Sequence, residues 1–141
     1  HELDPLNDVT RQHIDTMEAI EACGPKYGDA LLQKYVDADC FVMPSYREGF
    51  PNTVLEAGAM GLPSIVTDIN GSREIIVNEK NGLIVPSKNV DALYVAMERM
   101  MCDDNAHETM KRNARQMIDS RFERNFVQGC QIDFYKDLLE H

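Results

Sequence analysis

The chain has 141 residues, 43% of them hydrophobic and 27% charged. That composition excludes a wholly disordered chain, and the length suits one domain or a piece of a larger protein. Its 14 basic and 24 acidic residues give a formal charge of −10, a surface that repels phosphate backbones and anionic lipid heads; neither nucleic acid nor direct membrane contact is therefore expected.

In chain order, His1-Glu2-Leu3-Asp4-Pro5 is acidic and turn-like, unlike a signal peptide. Asp4-Pro5 and Asn7-Asp8 are turn signals, and Thr10 to Thr16 reads as a helix. Ala19 to Cys23 is a short, mostly apolar piece before Gly24-Pro25 and predicts a strand. Asp29 is placed to N-cap a helix carrying Leu31, Leu32, Tyr35 and Val36. Cys40 to Met43, Ser64 to Thr67 and Gly82 to Pro86 are continuous apolar runs bounded by turn residues, the pattern of strands buried on both faces. Helices are expected between them at Asn52 to Met60 and Ser72 to Val77.

Strand, helix, strand, helix, strand at this spacing predicts an α/β fold with a parallel sheet and right-handed crossovers. Ligands of such sheets lie outside the carboxyl ends of the strands. That rule points to the loops Gly24–Gly28, Ser45–Asn52 and Asp68–Ser72. Beyond residue 88 only helices are expected. Their apolar faces are Val90, Leu93, Tyr94, Met97, Met100 and Met101, then Met110, Ala114, Met117 and Ile118, then Phe126, Val127, Cys130, Phe134 and Leu138. The eight methionines read as core filler. Cys23, Cys40, Cys102 and Cys130 read as reduced core thiols, because no Cys-x-x-Cys pair exists. Only His13 and His107 are non-terminal histidines, so no metal site and no Cys/His nucleophile is expected. Leu139-Glu140-His141 reads as the start of a purification tag, and the chain as a fragment of a longer protein.

The stretch from Pro44 to Asn70 carries the chemistry. It leaves a strand, crosses a loop with Glu48 and enters a helix at Pro51-Asn52, where proline's missing N–H has no intrahelical partner. The N–H groups of Asn52, Thr53 and Val54 are expected to face the loop and form an anion site that outweighs the global charge locally. Glu48 precedes the helix. Glu56 lies about one turn inside it, on roughly the side of Asn52, where its two oxygens can accept from a ribose diol. An exposed loop acid and an ordinary helical glutamate would account for either residue taken alone.

The ordered string Glu48-Gly49-Phe50-Pro51-Asn52-Thr53-Val54-Leu55-Glu56-Ala57, followed by Gly61 to Asp68, resembles the Glu-x7-Glu signature of the family 4 retaining glycosyltransferases. Ala38 to Ser45 upstream, and Glu74-Ile75-Ile76 with Asn81 to Pro86 downstream, extend the resemblance over roughly residues 19–102. It implies one Rossmann-like half of a GT-B fold followed by a helical carboxyl-terminal tail. Residues 1–103 would be part of the nucleotide-sugar-binding domain, 104–138 helices packing on it, and 139–141 a tag remnant. Glu48 would face the donor sugar near its anomeric carbon and Glu56 the ribose hydroxyls. Gly49, Phe50, Asn52 and Thr53 would hold sugar hydroxyls and diphosphate through backbone N–H groups. Gly24, Pro25, Lys26 and Tyr27 would form the base-binding loop.

The resemblance further implies a nucleotide-sugar donor, UDP ahead of GDP, with no metal or other cofactor. The acceptor would be a glycan or lipid-linked saccharide held by a missing amino-terminal domain. The setting would be polysaccharide synthesis in the cytoplasm, with the longer protein peripheral at the inner face of the membrane. Two departures stand out: Pro51 replaces the glycine of many members, removing a backbone donor, and residues 1–18 contain no match to the phosphate-binding Arg/Lys pair, Arg11 being their only arginine. The fragment is expected to bind nucleotide weakly without turnover. The alternatives are a non-catalytic nucleotide-binding module, a sugar-nucleotide epimerase and a carboxylate-pair glycosidase. The last requires two acids facing one bond about 5–10 Å apart, a poor match to a Glu56 pointed at a ribose.

Overall fold

The computed structural model describes residues 7–139, so the Asp4-Pro5 turn signal and the Glu140-His141 end of the expected tag lie outside the described residues. The chain divides into two compact units, His1–Gln33 and Lys34–His141.

In the first unit, α1 spans Asp8–Thr16. Asn7 is its cap rather than a turn residue, its Oδ1 accepting the Thr10 N–H at 2.8 Å. The strand expected at Ala19 to Cys23 does not form. Ile20 N–H bonds back to the Met17 carbonyl at 3.0 Å and Cys23 N–H to the Glu21 carbonyl at 3.0 Å. These local turn bonds take up N–H groups that a ladder would need, and residues 7–33 contain no strand. The helix α2, Asp29–Asp37, runs across the boundary between the units. Gly28, with φ +54°, caps its start by accepting from Leu31 and Leu32, so Asp29 lies inside the helix instead of capping it.

The second unit is a parallel sheet of β1 (Phe41–Met43), β2 (Ser64–Thr67) and β3 (Gly82–Val85), in that order. Val42 stands opposite Ile65, and Ile65 opposite Leu83. The helices between the strands are α3 (Asn52–Ala59) and α4 (Ser72–Ile75), and the tail holds α5 (Val90–Cys102), α6 (Asp104–Phe122) and α7 (Arg124–Leu139). The two-residue alternation of a strand divides the core. Ile65 joins Leu83, Val85, Ala96, Met100 and Met110 on one face. Val66 joins Val54, Ile75, Ile76 and Ile118 on the other. Burying each of these large side chains is worth about 1.5–3 kcal/mol over leaving it exposed. β2 is buried throughout and β3 nearly so, whereas β1, expected to be buried on both faces, is only half-buried.

Gly58 and Gly82 permit close approaches within the core. A Cβ on Gly58 of α3 would lie 2.6 Å from Ile118 Cγ1 of α6, and one on Gly82 would lie 2.1 Å from the Ser64 carbonyl oxygen. α4 stops at Ile75 because buried Asn81 takes over: its Oδ1 accepts the Val77 N–H at 2.8 Å and its Nδ2 donates to the Ile75 carbonyl at 3.2 Å.

The tail departs from its expected faces. On α5 the packed positions are Ala92, Leu93, Ala96 and Met100. Val90, Tyr94, Met97 and Met101 are exposed, because the small alanines bring the helix down on a narrower stripe. Met110, Ala114 and Ile118 of α6 are buried as expected. α7 has no buried residue, and Phe126, Phe134 and Leu138 all face solvent. Among the methionines only Met100 and Met110 are buried, and Cys102 and Cys130 are exposed rather than core thiols. No described helix is long and apolar enough to cross a membrane.

Candidate functional site

The carboxyl ends of β1 and β2 and the start of α3 assemble one loop cluster. β1 ends at Met43, and the chain turns through Pro44 and Ser45 to Glu48. Ser45 Oγ donates to Glu48 Oε1 at 2.8 Å, holding the half-buried carboxylate against its own turn. The Thr67 hydroxyl at the end of β2 donates to the Ser45 carbonyl and so ties this turn to the central strand.

Gly71 supplies the second tie. Its φ is +79°, and a Cβ there would stand 2.2 Å from the Gly49 carbonyl oxygen and 3.1 Å from Pro51 Cδ. The Asp68–Ser72 loop thus lies flush on the Glu48–Pro51 loop, at a contact only glycine allows. The sequence rule selects this loop as the carboxyl end of a strand without singling out Gly71 within it. Phe50 anchors the far side, its ring centroid 5.7 Å from that of Phe122 at the end of α6. Exposed Arg73 beside this loop is paired with Asp68 at 3.2 Å and with Asn70 Oδ1 at 3.2 Å.

Pro51 is the N-cap of α3 rather than its first helical residue. Its carbonyl accepts from Val54 at 3.1 Å and from Leu55 at 3.4 Å. Val54 is therefore committed, against expectation, and the first-turn donors left over are those of Asn52 and Thr53, both on exposed residues. The Thr53 hydroxyl meets Met43 Sδ at 3.7 Å.

Glu56 is exposed one turn into α3, on the helix that Asn52 opens. Tyr35 donates to its Oε2 at 3.2 Å. The Tyr35 ring is itself buried, edge-on to Phe41 with centroids 6.0 Å apart. Burial, then the Glu56 charge and the hydrogen bond, raise the Tyr35 pKa above its ordinary 10.0. The phenol is therefore a lasting donor that orients Glu56. In the sequence alone Tyr35 is just one member of an apolar stripe.

Gly24, Pro25, Lys26 and Tyr27 belong to the first unit. Gly24 has φ +62° and Tyr27 is 81% exposed. Among the described residues no group of three His, Cys, Asp or Glu side chains could hold a metal ion.

Residues 15–117 match the family of glycosyl transferases group 1. The chain is 31% identical over 106 residues to the capsular polysaccharide biosynthesis glycosyltransferase CapM of Staphylococcus aureus, covering 75% of this chain and 28% of that protein. It is 38% identical over 101 residues to the UDP-Gal:alpha-D-GlcNAc-diphosphoundecaprenol alpha-1,3-galactosyltransferase of Escherichia coli, covering 72% of this chain and 25% of that protein. Among solved structures it resembles sucrose-phosphate synthase from Thermosynechococcus elongatus, with a TM-score of 0.81 and 26% identity over 94% of this chain and 33% of that one. The chain thus spans about a third or less of the length of these relatives.

Proposed function

The chain belongs to the glycosyl transferases group 1 family, and from that premise we propose that it is the donor-binding part of a retaining glycosyltransferase of the family 4 type. The longer protein would move a sugar from a UDP-sugar to a saccharide acceptor in cell-surface polysaccharide synthesis, at the cytoplasmic face of a membrane. The observation that carries the reading is the loop cluster: Glu48 fixed by Ser45, the open N–H groups of Asn52 and Thr53, and Glu56 oriented by Tyr35 follow one another at a strand's carboxyl end. The two named relatives support the acceptor class and the uridine donor, since one acts in capsule synthesis and the other uses UDP-Gal.

In this reading the bond from the anomeric carbon to the diphosphate oxygen breaks while the acceptor oxygen bonds to that carbon. The acceptor's proton passes to the departing diphosphate. Charge grows on the diphosphate, where the Asn52 and Thr53 N–H groups offer fixed donors. It also grows, with opposite sign, on the sugar ring, where the Glu48 carboxylate offers compensation. Glu56 receives the ribose hydroxyls. Pro51 contributes no N–H, so any sugar hydroxyl there is held by Gly49 or Phe50 instead. No divalent metal is needed, and the chain by itself binds nucleotide weakly and transfers nothing.

The test is a titration of the isotope-labelled chain with UDP, GDP and ADP, beside Glu56→Ala. Saturable NMR shifts at Asn52 to Glu56 for one nucleotide are expected, with affinity falling by about 1.5–3 kcal/mol in the variant. A folded chain and a folded full-length protein that both ignore all three nucleotides would sink the reading.

A further inference from the structure

A cavity of about 370 Å³ opens at the carboxyl ends of all three strands. Pro44, Tyr46, Thr67, Lys88, Asn89 and Leu93 are among its walls. Its size is that of a small-ligand site. In a chain of net charge −10, the only charged one of the described residues lining this cavity is cationic, Lys88. The Lys88 ammonium stands 5.8 Å from the centroid of the Tyr46 ring, which is 69% exposed. Lys88 also holds φ +60°, a left-handed conformation that a glycine would occupy at less cost. An aromatic face, a point cation and apolar walls of proline and leucine suit a sugar ring that carries an anionic group. The ring's C–H face lies on the phenol, and the anion meets the ammonium.

We propose that this cavity is a second subsite that takes a sugar phosphate on the acceptor side of the reaction. Its wall is linked to the Glu48 turn by hydrogen bonds: Thr67, which lines it, donates to the Ser45 carbonyl, and Ser45 Oγ donates to Glu48. A saccharide seated there is two hydrogen bonds, through Thr67 and Ser45, from the carboxylate assigned to the reacting centre. The acceptor role rests on the proposed transferase function, whereas the binding of a sugar phosphate does not.

The experiment is an NMR titration of the full chain with glucose 1-phosphate, inorganic phosphate, glucose and UDP. It is run beside Lys88→Gln, Lys88→Gly and Glu56→Ala. Glucose 1-phosphate is expected to shift Tyr46 and Lys88 to Leu93 saturably, and to bind about tenfold or more tightly than glucose or inorganic phosphate. Lys88→Gln should lose at least tenfold in that affinity. Lys88→Gly should lose it too while melting no lower than the parent chain, since the strained φ is relieved. Glu56→Ala should leave these shifts in place. In the full-length protein Lys88→Gln should raise the acceptor KM and leave the donor KM alone. Shifts confined to Asn52–Glu56 and abolished by Glu56→Ala would overturn the subsite, as would equal affinity for inorganic phosphate or an unchanged Lys88→Gln. Sugar-phosphate shifts at Lys88 in a protein that ignores every nucleotide would keep the subsite and overturn the donor reading.

Discussion

Gly71 meets the Glu48 turn where a side chain has no room, and that makes it a sharper probe of the site than either glutamate. Gly71→Ala combines a Cβ 2.2 Å from the Gly49 carbonyl with a left-handed backbone, so it should cost about 1–3 kcal/mol in denaturant melts and blunt the nucleotide shifts at Asn52–Glu56. Gly49→Ala is the control: a Cβ at that position would meet nothing within 4 Å, so it should stay within about 0.5 kcal/mol of the parent chain. Equal losses from the two changes would mean that the loop contact is not what holds the turn. Cys40 gives a second handle. Burial is the main cause that pushes its thiol from 9.0 up to about 11. The folded chain therefore keeps a proton that the unfolded chain releases near pH 9. Between about pH 9 and 11 the unfolded state binds fewer protons, so stability must fall as pH rises. Tyr35, raised above 10.0, prolongs the decline. Urea midpoints at pH 8 to 11 should show this limb, and Cys40→Ala should flatten its lower part. An identical limb in the variant would remove Cys40 as the cause.

The pairing of α3 with α6 depends on Gly58, whose Cβ would lie 2.6 Å from Ile118 Cγ1. Gly58→Ala should cost about 1–3 kcal/mol through overpacking, although alanine favours a helix by about 0.5–1 kcal/mol. With Ile118→Ala already present, the same change should turn neutral or stabilising. A double-mutant cycle by chemical denaturation reads that coupling, and additive losses would count against the contact. Elements of this kind differ in how far local pattern reveals them. The three strands and α3 are legible because apolar runs closed by Pro or Gly leave few alternatives. Residues 19–23 mislead because a strand is a property of two segments, and the partner edge is not written in its own residues. The stripe on α7 misleads for a related reason: an apolar face has the same spacing whether or not another element covers it. At the site, Glu48, Glu56 and the open donors of Asn52 and Thr53 stand in one string and are visible together. The Tyr35–Glu56 bond and the Gly71–Gly49 contact join residues about 20 apart in the chain and carry no local signal.

Over the whole molecule, the charge of −10 acts on every folded conformation at once. Compaction brings the 24 acidic side chains closer together, so self-repulsion favours the unfolded chain at low ionic strength. Ion pairs such as Arg73–Asp68 and Arg99–Glu79 are solvent-exposed and offset little of it. Raising NaCl from about 10 to 150 mM shortens the screening length from about 30 to 8 Å, which is shorter than the molecule. The melting temperature should therefore climb over that range, opposite to the trend of a fold held by surface ion pairs. The same scan separates screening from binding. Among the described residues no cluster of acids and histidines is arranged to hold a metal ion, so MgCl2 and NaCl at matched ionic strength should differ only by the slight extra condensation of a divalent ion on an acidic surface. A saturable magnesium stabilisation at micromolar concentration, where ionic strength barely changes, would instead require a specific cation site and would reopen the question of how the diphosphate charge is neutralised during transfer.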